Sequence, residues 1–217
     1  MADKELECLA HADYWDKRYS KAGPDQRVHE WFRSFNDLEE FFDQNLFQVR
    51  APETAPRILH LGSGDSTIPR DLAVKGYTNQ ICVDFSTVAV ELMSQRDADI
   101  QGIEWRQMDV RRMDEIPSQS IDFAFDKGTL DAMIHGSPWS PPPDVIENTR
   151  QYLREVSRVL KPGGVFLYVT YRQPHFISPL LNQDDIRWDI TVERIGGSDS
   201  SIGYHGFICK PEKESVT

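Results

Sequence analysis

From Arg57 onward, short apolar runs alternate with amphipathic segments of helical period. That alternation points to an α/β sheet, because parallel strands need a crossover helix between them. The first run, 57–61, precedes a glycine turn and a helix expected over 68–75. Residues 80–84 follow, then a helix opening at Ser86, whose hydroxyl suits an N-cap. Runs 103–108 and 121–126 supply a third and a fourth strand, the latter leading into a helix near 129–134. A loop carrying Pro138 and Pro141–Pro143 then introduces a long helix. Asp144 is its expected cap, and Val145, Thr149, Tyr152, Leu153, Val156, Val159 and Leu160 form its buried stripe. Lys161-Pro-Gly-Gly164 stops that helix, and 165–170 reads as a fifth strand. Two later runs, about 187–195 and 203–210, read as an antiparallel hairpin across a Gly/Ser loop.

Before the sheet, 11–21 and 34–48 read as two helices, the second with Phe35, Leu38, Phe41, Phe42 and Leu46 on one face. A length of 217 residues suits one compact domain, with 1–56 as a helical cover that completes a ligand site and 57–217 as the core. The net charge is −11, of which −8 lies in residues 1–110. Nucleic acid and anionic membrane are poor partners for such a chain, whereas a basic protein surface is a compatible one. Three separated cysteines without a CxxC pair exclude a disulfide framework or a cysteine zinc site. Six unclustered histidines and no HExxH lead us to expect no metal. The charged N-terminus and the lack of an 18-residue apolar run lead to the expectation of a cytoplasmic protein.

Leu61-Gly62-Ser63-Gly64-Asp65-Ser66 joins the first strand to a helix. Glycines there let a ligand approach bare backbone, and a helix N-terminus offers N–H groups to an anion. Asp84 ends the second strand 20 residues beyond Gly64, where a carboxylate can bind ribose hydroxyls. A dinucleotide site would usually carry a third glycine at position 67, which here is Thr. Met108-Asp109, closing the third strand, suits an adenine flanked by an apolar face and a polar acceptor. Both features favour S-adenosyl-L-methionine over NAD.

The chain resembles the class I, seven-β-strand methyltransferases that use this cofactor. The specific segments are Tyr14-Trp15-Asp16-Lys17-Arg18-Tyr19, His29-Glu30-Trp31-Phe32 and Lys127-Gly128-Thr129-Leu130-Asp131-Ala132. With Glu155–Gly164 and Pro174-His175-Phe176, they are similar to the enzymes that methylate lysine on translation elongation factor 1-alpha. The resemblance implies a Rossmann-like sheet, mostly parallel with an antiparallel last strand. It implies Trp15, Tyr19 and Trp31 around the methionine end, Gly62 with Ser63 and Gly64 in the glycine loop, and Asp84 and Phe85 at the ribose. It further implies Met108, Asp109 and Val110 at adenine and Lys127 beneath the sulfonium. Aromatic faces attract a sulfonium cation, and Arg18 suits the methionine carboxylate.

Methyl transfer to an amine is an in-line displacement that needs a neutral nucleophile in close alignment. A site at the carboxyl ends of strands four and five would use Asp126 to orient the amine. Asp131, Tyr171 and His175 are the substrate-side candidates, with Trp139 as a lid. The leading expectation is a protein-lysine methyltransferase acting as a monomer or weak dimer on a basic protein such as elongation factor 1-alpha. The alternatives are a small-molecule methyltransferase and a cofactor-binding scaffold without turnover.

Overall fold

The computed structural model describes residues 6–21, 30–183, 186–196 and 203–212. His29 of the second family segment and most of the Gly/Ser loop lie outside the described residues. Strands β1 (Ile58–Leu61), β2 (Gln80–Asp84), β3 (Ile103–Gln107), β4 (Ile121–Lys127), β5 (Leu160–Thr170), β6 (Trp188–Ile195) and β7 (Tyr204–Pro211) form one sheet in the order β3-β2-β1-β4-β5-β7-β6. Neighbours from β3 to β5 pair in parallel, while β7 runs antiparallel to both β5 and β6. The order reverses at β1, and a ligand site is expected there, beyond the carboxyl ends of the strands.

Strand alternation divides the core into two layers. Leu59, Leu61, Ala124, Phe166 and Tyr168 face one way, packing with Tyr152, Leu153 and Val156 of the long helix, Pro143–Val159. Ile58, Phe123, Phe125, Leu167 and Val169 face the other. The two N-terminal helices divide their work accordingly. Phe35–Phe42 packs Phe35, Leu38, Phe41 and Phe42 onto the second face, whereas Ala12–Tyr19 lies across the carboxyl end of β2. A short contact from the Ser86 hydroxyl to Asp16 pins that first helix to the cap of Thr87–Arg96.

Helices are numbered α1 (Ala12–Tyr19), α2 (Phe35–Phe42), α3 (Ile68–Val74), α4 (Thr87–Arg96), α5 (Thr129–Met133), α6 (Pro143–Val159) and α7 (Pro174–Leu181). Ser86 caps α4 as expected, accepting from the Ala89 amide. Asp144 does not cap α6. Pro142 holds the cap position, Pro143 supplies a preset φ at the first helical position, and Asp144 meets His135 Nε2 at 2.9 Å. Lys161-Pro-Gly-Gly164 also differs from expectation: it belongs to β5, which starts at Leu160 opposite Ile121 and passes an irregularity before Phe123 pairs with Val165. The pattern gave no sign of α7, an eight-residue helix with Pro179 inside it. No helix among the described residues is long and apolar enough to cross a membrane.

Candidate functional site

The carboxyl ends of β1, β2 and β4 open into a cavity of about 320 Å³, closed over by α1 and the segment Trp31-Phe32. Its floor is the glycine turn. Gly62 and Gly64 adopt φ +60° and +53°, values that side chains disfavour. A Cβ on Gly62 would fall inside the Thr129 side chain, whose hydroxyl donates to the Leu61 carbonyl at 2.7 Å. A Cβ on Gly64 would meet the Tyr19 hydroxyl. The turn is therefore clamped from the first residue of α5 on one side and from α1 on the other.

Asp84 is buried beside this turn and accepts from the Gly64 amide at 2.8 Å and the Ser86 amide at 2.9 Å. Burial pushes its carboxyl up to about 6, against the pull of those two hydrogen bonds. Phe85, Ser63, Asp109 and Val110 line the same end. Asp109 is gripped by Arg111, with contacts of 3.0, 3.1 and 2.7 Å, and Arg111 continues to Asn148 at 2.7 Å. Met108 is buried in the core and does not line the cavity, so Val110 and Phe85 supply the apolar surface expected of it.

The other end is built by side chains distant in sequence. Glu30 accepts from Ser66 Oγ at 2.8 Å, from the Thr67 amide at 2.9 Å and from Lys127 Nζ at 2.5 Å. Lys127 also donates to the Trp31 carbonyl at 2.6 Å. Burial lowers the Lys127 ammonium from its ordinary value, and Glu30 opposes that by stabilising the charge. The amide at the start of α3, expected to meet a ligand anion, is thus occupied by the protein's own carboxylate. Trp15, Tyr19 and Trp31 complete the wall, Trp15 stacking on Tyr19 at 5.9 Å and meeting Trp31 edge-on at 5.8 Å. Burial raises the Tyr19 phenol well above its usual range. Arg18 does not line the cavity; its guanidinium lies 4.8 Å over the Trp31 ring.

On the substrate side, Asp131 and Tyr171 line the cavity and Asp126 does not. Asp126 is fully enclosed, accepting from the Thr129 amide at 2.8 Å, the Leu130 amide at 2.9 Å and Tyr152 Oη at 2.7 Å. Burial pushes it up to about 7. Its position corrects the expectation that it touches the amine: it fastens the turn after β4 from beneath. Asp131 holds Tyr168, Thr170 and Arg172 at 2.7, 2.7 and 3.1 Å. Trp139 and His175 also stand away from the cavity. Trp139 is 81% exposed and meets Phe176 edge-on at 4.9 Å, outside the lining of the cavity.

Residues 53–192 match the family model described as a methyltransferase domain, which covers more than half of the chain. The chain belongs to this methyltransferase family. Over 165 residues it is 41% identical to the mouse EEF1A lysine methyltransferase 4, a match covering 75% of this chain and 62% of the relative. The bovine protein of the same name is 34% identical over 205 residues, covering 93% of this chain and 75% of that one. A solved SAM-dependent methyltransferase from Leishmania major shares the fold, with a TM-score of 0.64 at 12% identity, over 93% of this chain and 86% of the other.

The fold family implies S-adenosyl-L-methionine, and the residues present fit it. After meeting one backbone N–H each, the two oxygens of Asp84 retain lone pairs for ribose hydroxyls. The opposite end offers the aromatic faces a sulfonium needs. No group of metal-ligating side chains occurs among the described residues of this methyltransferase. The sequence pattern assigns no role to Glu30, Phe32 or Thr129. The only local sign was their place in family segments, because their partners lie 36 to 97 residues away for Glu30 and 67 or 68 for Thr129.

Proposed function

We propose that this methyltransferase N-methylates a lysine side chain of a protein of the elongation factor 1-alpha type, in the cytoplasm. The observation that carries this reading is the 34% identity to an EEF1A lysine methyltransferase 4 across 93% of the chain. The acidic balance, −11 overall, supports a partner with a basic surface. Free thiols at Cys8, Cys82 and Cys209 suit a reducing compartment.

When bound, S-adenosyl-L-methionine supplies an electrophilic methyl group on a positively charged sulfur. Asp84 and the glycine turn bind the nucleoside, while Trp15, Tyr19 and Trp31 bound the cationic end. A lysine of ordinary pKa ~10.4 must be deprotonated at a cost of roughly 4.6 kcal/mol at pH 7. Apolar walls formed by Phe32, Tyr171 and Met133 reduce that cost by desolvating the ammonium form. Lys127 would repel a sulfonium and a substrate cation alike, and Glu30 balances its charge. Asp131 fixes Arg172, and with it the turn that presents Tyr171. Its oxygens already accept from these partners, so alignment and desolvation, rather than a dedicated base, account for the chemistry; the proton leaves with water.

The test is incubation of the protein with labelled S-adenosyl-L-methionine and purified elongation factor 1-alpha, followed by mass mapping. One labelled lysine is the expected result. Absence of label at saturating cofactor would overturn the assignment.

A further inference from the structure

Phe32 has a backbone that needs explaining. It adopts φ +63°, a region that bulky side chains avoid, and the Arg33 amide donates to the Trp31 carbonyl at 2.7 Å across it. That carbonyl also receives Lys127 Nζ, so the tight turn is held from β4. The turn delivers the Phe32 ring onto Gly128, the first residue after β4. A Cβ there would lie 3.1 Å from the ring, and Gly128 itself has φ +99°. The same ring meets Tyr171 edge-on at 5.4 Å, with planes at 82°, and Tyr204 at 5.7 Å. Phe32, Gly128 and Tyr171 all line the cavity, and Tyr171 is 38% exposed, so this pair stands where the cavity meets solvent. Trp15, Tyr19 and Trp31 form a separate aromatic group on the α1 side.

We infer that Phe32 and Tyr171 form an aromatic gate for the substrate amine, a specificity-determining pair that lines one side of the lysine stem and strips water from its nitrogen. The inference rests on the protein-lysine reading above. The edge-to-face corner of the two rings, lying along one side of an unbranched aliphatic stem, favours a lysine side chain and lowers its proton affinity by excluding water. Neither ring has a role in holding the nucleoside, which lies at the β2 end. Substrate turnover and cofactor affinity are therefore expected to separate.

The experiment compares the wild type with Phe32→Ala, Tyr171→Ala, the double variant and the conservative Phe32→Tyr. It measures kcat/KM on elongation factor 1-alpha and affinity for S-adenosylhomocysteine. Each alanine variant is expected to lower kcat/KM about tenfold, and the pair together far less than a hundredfold, because the two rings act as one unit. Affinity for S-adenosylhomocysteine should stay within about twofold, and Phe32→Tyr should retain most activity. Tyr171 is partly exposed, so its variant tests the gate even where Phe32→Ala fails to fold. A wild type that methylates no lysine overturns the functional reading and the gate with it. An active wild type whose Tyr171→Ala variant is equally active overturns the gate alone, as does loss of S-adenosylhomocysteine binding in step with activity.

Discussion

The two ends of the cavity are built by different means. At the nucleoside end, Asp84 binds the amides of Gly64 and Ser86, and the shape is set mainly by backbone. At the methyl end, Glu30 joins Ser66, Thr67 and Lys127, and the shape is set by side chains that meet only after folding. A backbone-built site tolerates change around it and fails at a few positions. A side-chain-built site couples stability to function, because removing one partner strands another in a buried place.

Glu30→Ala is the strongest test of that contrast. It leaves the Lys127 ammonium buried, with only the Trp31 carbonyl among the partners described above. A loss of ~3 kcal/mol in unfolding free energy is expected from breaking such a pair. Denaturant titration would read it, and pairing Glu30→Gln with Lys127→Met should recover much of the loss. An unchanged midpoint in Glu30→Ala would show that the methyl end does not depend on the pair.

Asp84→Ala attacks the opposite end. Two amides lose their acceptor and the carboxylate proposed to hold the ribose is gone, so affinity for S-adenosylhomocysteine is expected to fall about 100-fold by calorimetry. A fall smaller than tenfold would mean that the surrounding backbone alone holds the nucleoside. Gly62→Ala lies at the seam between the ends. Its positive φ and the overlap with Thr129 predict a loss of ~1–3 kcal/mol in thermal or denaturant unfolding. Adding Thr129→Ala should relieve the overlap and leave the backbone strain. If the double variant is no more stable than Gly62→Ala, strain alone accounts for the cost.

The same contrast explains which parts of the site could be read in the sequence. The position of Asp84 beside the glycine turn was legible because its signal is local: an apolar run, a strand end, and a fixed distance from that turn. The stripe on α6 and the Ser86 cap were legible for the same reason. Asp126 also sat at a strand end, yet nothing local distinguished a carboxylate facing the cavity from one facing inward. What decides it is Tyr152, 26 residues away on α6, together with the first two amides of α5. Helix α7 escaped because eight residues with an internal proline carry too little periodicity. Glu30 and Phe32 acquire meaning only when Lys127, at the end of β4, and Gly128, just beyond it, reach them.

Asp126 provides the smallest and most discriminating measurement. Its folded carboxyl is pushed up to about 7 by burial, from 3.8 as the reference value. Between those values the folded state holds more protons than the unfolded one, so this group's contribution to stability is full below about pH 4 and declines as pH rises to 7. The Tyr152 hydroxyl opposes the rise by donating to the ionised form. Tyr152→Phe should therefore raise the Asp126 pKa further and extend the decline to higher pH. The cost, ~1 kcal/mol for a lost hydrogen bond, should be larger at pH 8 than at pH 5 in paired urea titrations. Equal costs at both pH values would mean that the hydroxyl serves packing alone. The start of α5 would then be fastened to Asp126 by the Thr129 and Leu130 amides without help from α6.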